Sequence, residues 1–133
     1  MQVIIYSNSS GNVSVCVPTG ELPIETVLTK DCPAGAIIID DSVLPQGADA
    51  QFFDAWELAN GQVSVNFEKA KAQKLAQFNA AAVQVAQKRQ LNTLAGIENA
   101  VADADFTAGL AAGRTAIANA KTTADLVAVA NPV

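Results

Sequence analysis

The 133-residue sequence contains no histidine and only two cysteines, Cys16 and Cys32. The missing histidine removes the usual general base and the commonest metal ligand. Two cysteines without histidine or a second cysteine pair do not make a recognisable zinc site. There is also no glycine-rich phosphate loop and no Gly-x-Ser-x-Gly segment. The sequence therefore predicts a protein that is not an enzyme and that carries no cofactor and no metal ion.

No stretch of eighteen or more apolar residues occurs, so no membrane-spanning segment is predicted. The first residues, MQVIIYSNSSGN, have neither the basic start nor the long apolar run of a signal peptide. A chain made and kept in the cytosol would keep Cys16 and Cys32 reduced, and we expect buried free thiols. A disulfide formed after release from the cell is the alternative.

Aromatic residues are scarce as well, at 5% of a chain in which 50% of the residues are hydrophobic. Alanine supplies much of the apolar content and buries little area per residue. We therefore expect a modest core that gains stability from neighbouring subunits or from a host assembly. The formal charge is −5 and arginine occurs only at Arg89 and Arg114, a composition that does not favour nucleic-acid binding.

The first half of the chain has the pattern of short strands and turns. QVIIY and VSVCV are β-branched runs separated by the turn-forming segment SNSSGN, which predicts a β-hairpin. ELPIETVLTKD has helical spacing and predicts a short helix packed on that hairpin. AIIID predicts a third strand, buried on both faces because its apolar residues do not alternate with polar ones. DDSVLPQG predicts an aspartate-capped turn, with a cation held by Asp40 and Asp41 as the alternative.

A second hairpin is predicted around Asn60-Gly61, the dipeptide typical of a type I′ turn. Its two-residue loop pairs Trp56 with Val65 and places both side chains on one face. Aromatic rings concentrate in this segment, and each can bury roughly 150–250 Å². We expect these rings to fix the following helix to the small sheet, with a ligand-binding aromatic cage as the alternative. The predicted core residues are Phe52, Phe53, Trp56, Leu58, Val63, Val65, Phe67 and Phe78.

A long helix is predicted from Phe67 to about Ala95, because this stretch lacks proline and glycine and is rich in strong helix formers. IENAVADAD, FTAGLAAGRTAIANA and TTADLVAVA predict shorter helices that fold back or finish folding against a partner, and the spacing of Gly109 and Gly113 predicts a close helix contact. The basic residues of the long helix form either a solvated face or a docking surface for an acidic partner, and they are Lys69, Lys71, Lys74, Lys88 and Arg89.

The fold class is therefore expected to be α+β. A small lobe over residues 1–66 contains the strands and one short helix. An alanine-rich helical region follows over residues 67–133.

Three segments of the chain also follow a pattern known from other sequences: VIIYSNSSGNVSVCVPTGELPIE, IIIDDSVLP and FFDAWELANGQVSVNFEKAKAQK. In this order they resemble a set of small bacteriophage proteins from tail and tail-fibre gene neighbourhoods, over about residues 2–75. The residues that fit are Tyr6, Asn8, Pro33, Gly35, Asp40, Asp41, Ser42, Leu44, Pro45, Phe53, Asp54, Ala55, Trp56, Glu57, Asn66, Lys69, Ala70 and Lys71.

The resemblance implies a virion structural protein, in the tail, the baseplate or a fibre attachment, made in the host cytoplasm. Its expected partners are other phage tail or fibre proteins, or copies of itself in a symmetric assembly. A tail-fibre assembly chaperone that leaves before the virion is complete is the alternative that the same resemblance allows.

Overall fold

The computed structural model describes all residues from Met1 to Val133 and shows an α+β chain that divides into two compact units, Met1–Asn66 and Phe67–Val133. The first unit contains β1 (Gln2–Ser7), β2 (Val13–Cys16), α1 (Ile24–Asp31), β3 (Ile37–Asp40), β4 (Trp56–Ala59) and β5 (Gln62–Val65). The second unit contains α2 (Phe67–Leu94), α3 (Asp103–Asn119) and α4 (Thr123–Ala128).

The first three strands form one antiparallel sheet in the order β2-β1-β3. Ile4 of β1 pairs with Cys16 of β2 on one side and with Ile38 of β3 on the other. The β1–β2 hairpin confirms the prediction from the two β-branched runs. The expectation that β3 is buried on both faces is wrong, because β3 is an edge strand whose isoleucines are only half-buried.

The two faces of this sheet are covered by different elements. Val3, Ile5 and Val13 project from one face and form a buried cluster with Trp56 of β4. Ile4 projects from the opposite face and is completely buried. Helix α1 lies against β1 and β3, and it covers the face that carries Ile4. The first unit is therefore a three-layer arrangement of helix, sheet and β4–β5 hairpin.

The β4–β5 hairpin has the predicted register. Trp56 pairs with Val65 and Leu58 pairs with Val63, so these four side chains share one face. Asn60 and Gly61 have φ values of 52° and 75°, as a type I′ turn requires. The Trp56 indole Nε1 donates a hydrogen bond of 3.0 Å to the carbonyl oxygen of Asp49, which satisfies the polar atom of the buried ring.

A 3₁₀ turn over Asp41–Val43 follows β3, as the DDSVLP segment predicts. Asp40 Oδ1 accepts a hydrogen bond of 2.9 Å from the backbone N–H of Ser42. This bond holds the pKa of Asp40 at about 2, below the ordinary value of 3.8, because the donor stabilises the ionised carboxylate. Asp40 therefore acts as the cap of the turn.

The long helix α2 ends at a glycine, as expected. Gly96 has a φ of 73°, and its N–H donates to the carbonyl of Thr93 while the Ile97 N–H donates to the carbonyl of Asn92. This pair of bonds is the Schellman arrangement, which stops a helix at a residue with positive φ. The prediction of a helix over IENAVADAD is wrong for its first six residues, because the chain runs without helix from Ala95 to Ala102, and its last three residues begin α3.

The last two helices fold back within the second unit, where α2, α3 and α4 all contact one another. Thr122 and Asp125 form the predicted capping box at the start of α4, each side chain accepting a backbone N–H of the other residue. Phe78, Ile117 and Leu126 are buried side chains of this unit. Large apolar residues are few here, as the composition predicts.

Candidate functional site

The predicted core residues fall into three groups. Phe52, Trp56 and Phe78 are buried, and Phe67 is half-buried. The half-buried residues that pack against the Trp56 cluster are Leu58, Val63 and Val65. The prediction of Phe53 as a core residue is wrong, since Phe53 is 41% exposed, although the centroid of its ring lies 4.8 Å from that of Trp56.

Phe78 also differs from its expected position. We expected it to fix the long helix to the sheet, but its ring lies against Gly113 of α3 inside the helical unit. The aromatic residues therefore serve two cores: Trp56 in the first unit and Phe78 in the second. Sequence patterns did not separate these two roles because Phe52 and Phe78 occur within one continuous segment.

The predicted basic docking residues do not form one exposed surface. Lys69 and Lys88 are exposed, whereas Lys74 and Arg89 are buried. The Lys71 Nζ donates a hydrogen bond of 3.0 Å to the carbonyl of Ala118 and lies 5.7 Å from the centroid of the Phe67 ring. Three of the five cations are thus at least half-buried, and the expectation of a continuous basic face on α2 is wrong.

Arg89 is the best-anchored of these cations. Its Nη1 donates a hydrogen bond of 2.6 Å to the carbonyl of Val101, and its Nη2 forms an ion pair with Asp103. The guanidinium also lies 4.8 Å from the centroid of the Phe106 ring, within the range of a cation–π contact. One side chain of α2 thereby ties the loop before α3 and the first turn of α3 to the long helix.

The opposite side of α2 carries a continuous exposed face without charge. Its members recur with the alternating spacing of four and three residues that is typical of helix-packing seams. All of them are exposed, and they are Ala76, Ala80, Val83, Gln87, Gln90 and Leu94. The bordering positions on α2 are uncharged too, and they are Gln77, Asn79, Gln84, Ala86, Leu91 and Thr93. We call the first set of six the neutral face.

The polarity of α2 thus departs at several positions from that of an ordinary surface helix. Such a helix turns its charged side chains to water and its apolar side chains inward. Here Lys74 and Arg89 are buried, while Val83 is 56% exposed, Leu91 66% and Leu94 79%. Cations approach the neutral face at two places: Arg114 Nε donates a hydrogen bond of 3.1 Å to Asn79 Oδ1, and Arg89 lines a hollow together with Gln90 and Leu94. This arrangement makes the neutral face the candidate functional site.

Sequence reasoning missed the neutral face, although a signal for it is present. The inward side of α2 contains Phe78 and Ala82, and both are buried. The same 28-residue helix contains the second stripe of small and amide side chains. Alanine and glutamine occur both on solvated helix surfaces and in helix–helix contacts. The second stripe can therefore be interpreted as a contact surface only once the positions of the cations are known.

The hollows of the first unit have mostly uncharged linings. One of about 420 Å³ lies beside the β4–β5 turn and is lined by Ile39, Val43 and residues 59–64. No group of three or more histidine, cysteine, aspartate or glutamate side chains is gathered closely enough to hold a metal ion. None of the helices has the length and apolar character needed to cross a membrane.

No protein-family model, no curated protein and no solved structure matched this chain in three separate comparisons.

Proposed function

We propose that this protein is a structural component of a bacteriophage virion, in the tail, the baseplate or a fibre attachment, and that it acts by protein–protein packing. The resemblance of residues 2–75 to small phage tail-region proteins suggests the setting. The observation that carries the mode of action is the neutral face, since a helix that buries Lys74 and Arg89 and exposes valine and leucine is suited to contact another protein surface.

The occupant that best fits the neutral face is the same face on a second copy. The chain as a whole has a charge of −5, and eight of its acids against one base lie within residues 1–57. Two copies that meet through charged surfaces repel each other, whereas two neutral faces bring no like charges together. The amide side chains of Gln87 and Gln90 each carry both donors and an acceptor, so they can hydrogen-bond to their own counterparts.

The size of the neutral face limits how strong this contact is. Residues 76–94 span about 28 Å of helix, at about 1.5 Å per residue. A strip of that length and about 10 Å width covers far less than the roughly 800 Å² per partner of a standard stable interface. We therefore expect weak association of isolated copies and firm association only when several neighbours meet, as in a symmetric particle.

Mass spectrometry of purified phage particles tests the proposal. A structural component is present in mature particles in a fixed ratio to other tail proteins, and it remains after the particles are washed in high salt. Absence from mature particles, together with co-purification with fibre precursors in infected cells, overturns the structural role and supports the assembly chaperone. The neutral face suits that second role also, because a chaperone needs an exposed surface that its client covers.

A further inference from the structure

We propose that Cys16 and Cys32 are a redox-active pair which forms an intramolecular disulfide by exchange with a low-molecular-weight disulfide, and so links β2 to the end of α1. This inference does not depend on the proposed virion role. It concerns a covalent modification of the first unit, in which the two half-buried free thiols are the site of thiol–disulfide exchange.

The fold brings the two cysteines to the same side of the sheet. Cys16 is the last residue of the edge strand β2, opposite Ile4, and its side chain projects from the face that carries Ile4. Helix α1 covers that face, and Cys32 is the residue that directly follows α1. A hollow of about 270 Å³ is lined by Cys16 together with Val27 and Asp31 of α1, which places the strand end beside the last turn of the helix.

The thiols themselves are close enough to interact. Burial away from water raises the pKa of the Cys32 thiol, and the neighbouring Cys16 raises it further through its charge and a side-chain hydrogen bond. Both side chains are half-buried rather than fully enclosed, and the hollow beside Cys16 gives a small reagent access to its thiol. Proximity and access are the two conditions that thiol–disulfide exchange requires.

The reaction is balanced without any other reactant. A thiolate of the pair attacks one sulfur of the small disulfide RSSR, forms a mixed disulfide and releases one RS⁻, which takes up a proton. The second cysteine of the pair, as thiolate, attacks its partner's sulfur in the mixed disulfide and releases the second RS⁻. The sum is two protein thiols and RSSR giving one protein disulfide and two RSH, with the cysteines oxidised and RSSR reduced.

Two consequences follow from the position of the bond. The disulfide closes the segment between β2 and the end of α1, which restricts the unfolded chain and raises the melting temperature by several degrees. The raised pKa of Cys32 keeps its thiolate scarce at neutral pH, so oxidation accelerates as the pH rises towards that pKa. The linkage therefore forms under oxidising conditions and opens again in a reducing cytosol.

The experiment exposes the folded, reduced protein to oxidised glutathione at several ratios of oxidised to reduced glutathione. We expect both free thiols to disappear together, the intact mass to fall by two hydrogen atoms, and a peptide joining Cys16 to Cys32 to appear after proteolysis. The melting temperature of the oxidised protein should exceed that of the reduced protein, and a reductant should reverse both changes.

The single variants Cys16→Ser and Cys32→Ser are the matched controls. Each should retain its remaining thiol or gain one glutathione, and neither should show the oxidant-dependent rise in melting temperature. The proposal is overturned if the wild type gains two glutathiones without an internal link, or if oxidation produces only dimers joined between molecules.

Discussion

The ring of Phe78 in α2 lies directly against the backbone of Gly113 in α3. A Cβ atom placed on Gly113 would fall within 2.5 Å of the Phe78 ring, closer than non-bonded carbons can approach. The missing side chain of Gly113 is therefore what lets the largest buried side chain of the helical unit fit. The spacing of Gly109 and Gly113 predicts a close helix contact, and the contact is present at Gly113 alone.

We expect Gly113→Ala to destabilise the protein by about 1–3 kcal/mol, because a methyl group at this position overpacks the contact with Phe78. The penalty should appear even though alanine has the higher helix propensity. Urea unfolding followed by circular dichroism at 222 nm measures the change as a lower midpoint.

Gly109→Ala is the matched control, since it makes the same substitution one helical turn earlier on α3. No heavy atom lies within 4 Å of a Cβ placed there, so the variant should be neutral or more stable by roughly 0.5–1 kcal/mol. Equal effects of the two substitutions would contradict the packing argument.

Arg89→Ala should cost about 2 kcal/mol of stability, mostly through the lost hydrogen bond to the Val101 carbonyl and the lost contact with Phe106. The ion pair with Asp103 adds little to this figure, because the Asp103 side chain is almost fully exposed to solvent. Arg89→Lys should restore only part of the loss, since an ammonium group lacks the planar fork that makes both contacts. Chemical denaturation measures all three proteins.

Lys88→Ala provides the control for a loss of one cation from α2. Lys88 is the adjacent residue and is exposed, so its removal should change the free energy of unfolding by no more than about 0.5 kcal/mol. If Lys88→Ala were as harmful as Arg89→Ala, the effect would reflect total charge rather than the anchoring contacts.

The features that sequence patterns predicted well are local ones. Asn60-Gly61 fixes a two-residue turn, and the turn fixes which of Trp56, Leu58, Val63 and Val65 face each other. The capping box at the start of α4 is equally local, because Thr122 and Asp125 are three residues apart. In both cases the side chains that decide the structure lie within a few positions of the atoms they act on.

The features that failed depend on distant parts of the chain. Strand β3 is an edge strand because it pairs with β1 alone, and the residues within β3 do not show whether a second strand pairs with its other side. Arg89 looks like a solvated cation until Val101 and Phe106 are brought beside it by the loop before α3. The neutral face was missed for the same reason, since its meaning depends on where the cations of α2 lie.

Asp40 should titrate at about pH 2, because the backbone N–H and the hydroxyl of Ser42 stabilise its carboxylate. Since the folded-state pKa is depressed below the ordinary 3.8, its stabilising contribution is present above about pH 4. That contribution is lost as the pH falls from 3.8 towards 2. Carbon-13 NMR of the side-chain carboxyl measures the titration directly.

The variant Asp40→Asn isolates this contribution in the pH dependence of unfolding. Its stability should lie below that of the wild type near neutral pH, and the difference should shrink as the pH approaches 2. If the Asp40 carboxyl titrates at its ordinary value, or if the stability difference stays constant with pH, the hydrogen bond from Ser42 does not stabilise the ionised carboxylate.

Val83→Glu should weaken self-association by at least about tenfold, since it places a carboxylate in the middle of the neutral face and confronts it with its copy. The folded monomer should keep its stability to within about 0.5 kcal/mol, because Val83 is 56% exposed and its replacement disturbs no core.

Sedimentation velocity over a range of concentrations measures the association, and Lys88→Glu is the control. That change adds twice as much negative charge on an exposed position outside the neutral face, so association should remain close to that of the wild type. If Lys88→Glu weakens association as much as Val83→Glu, or if the wild type stays monomeric at every concentration, the neutral face is not the surface through which copies of this chain meet.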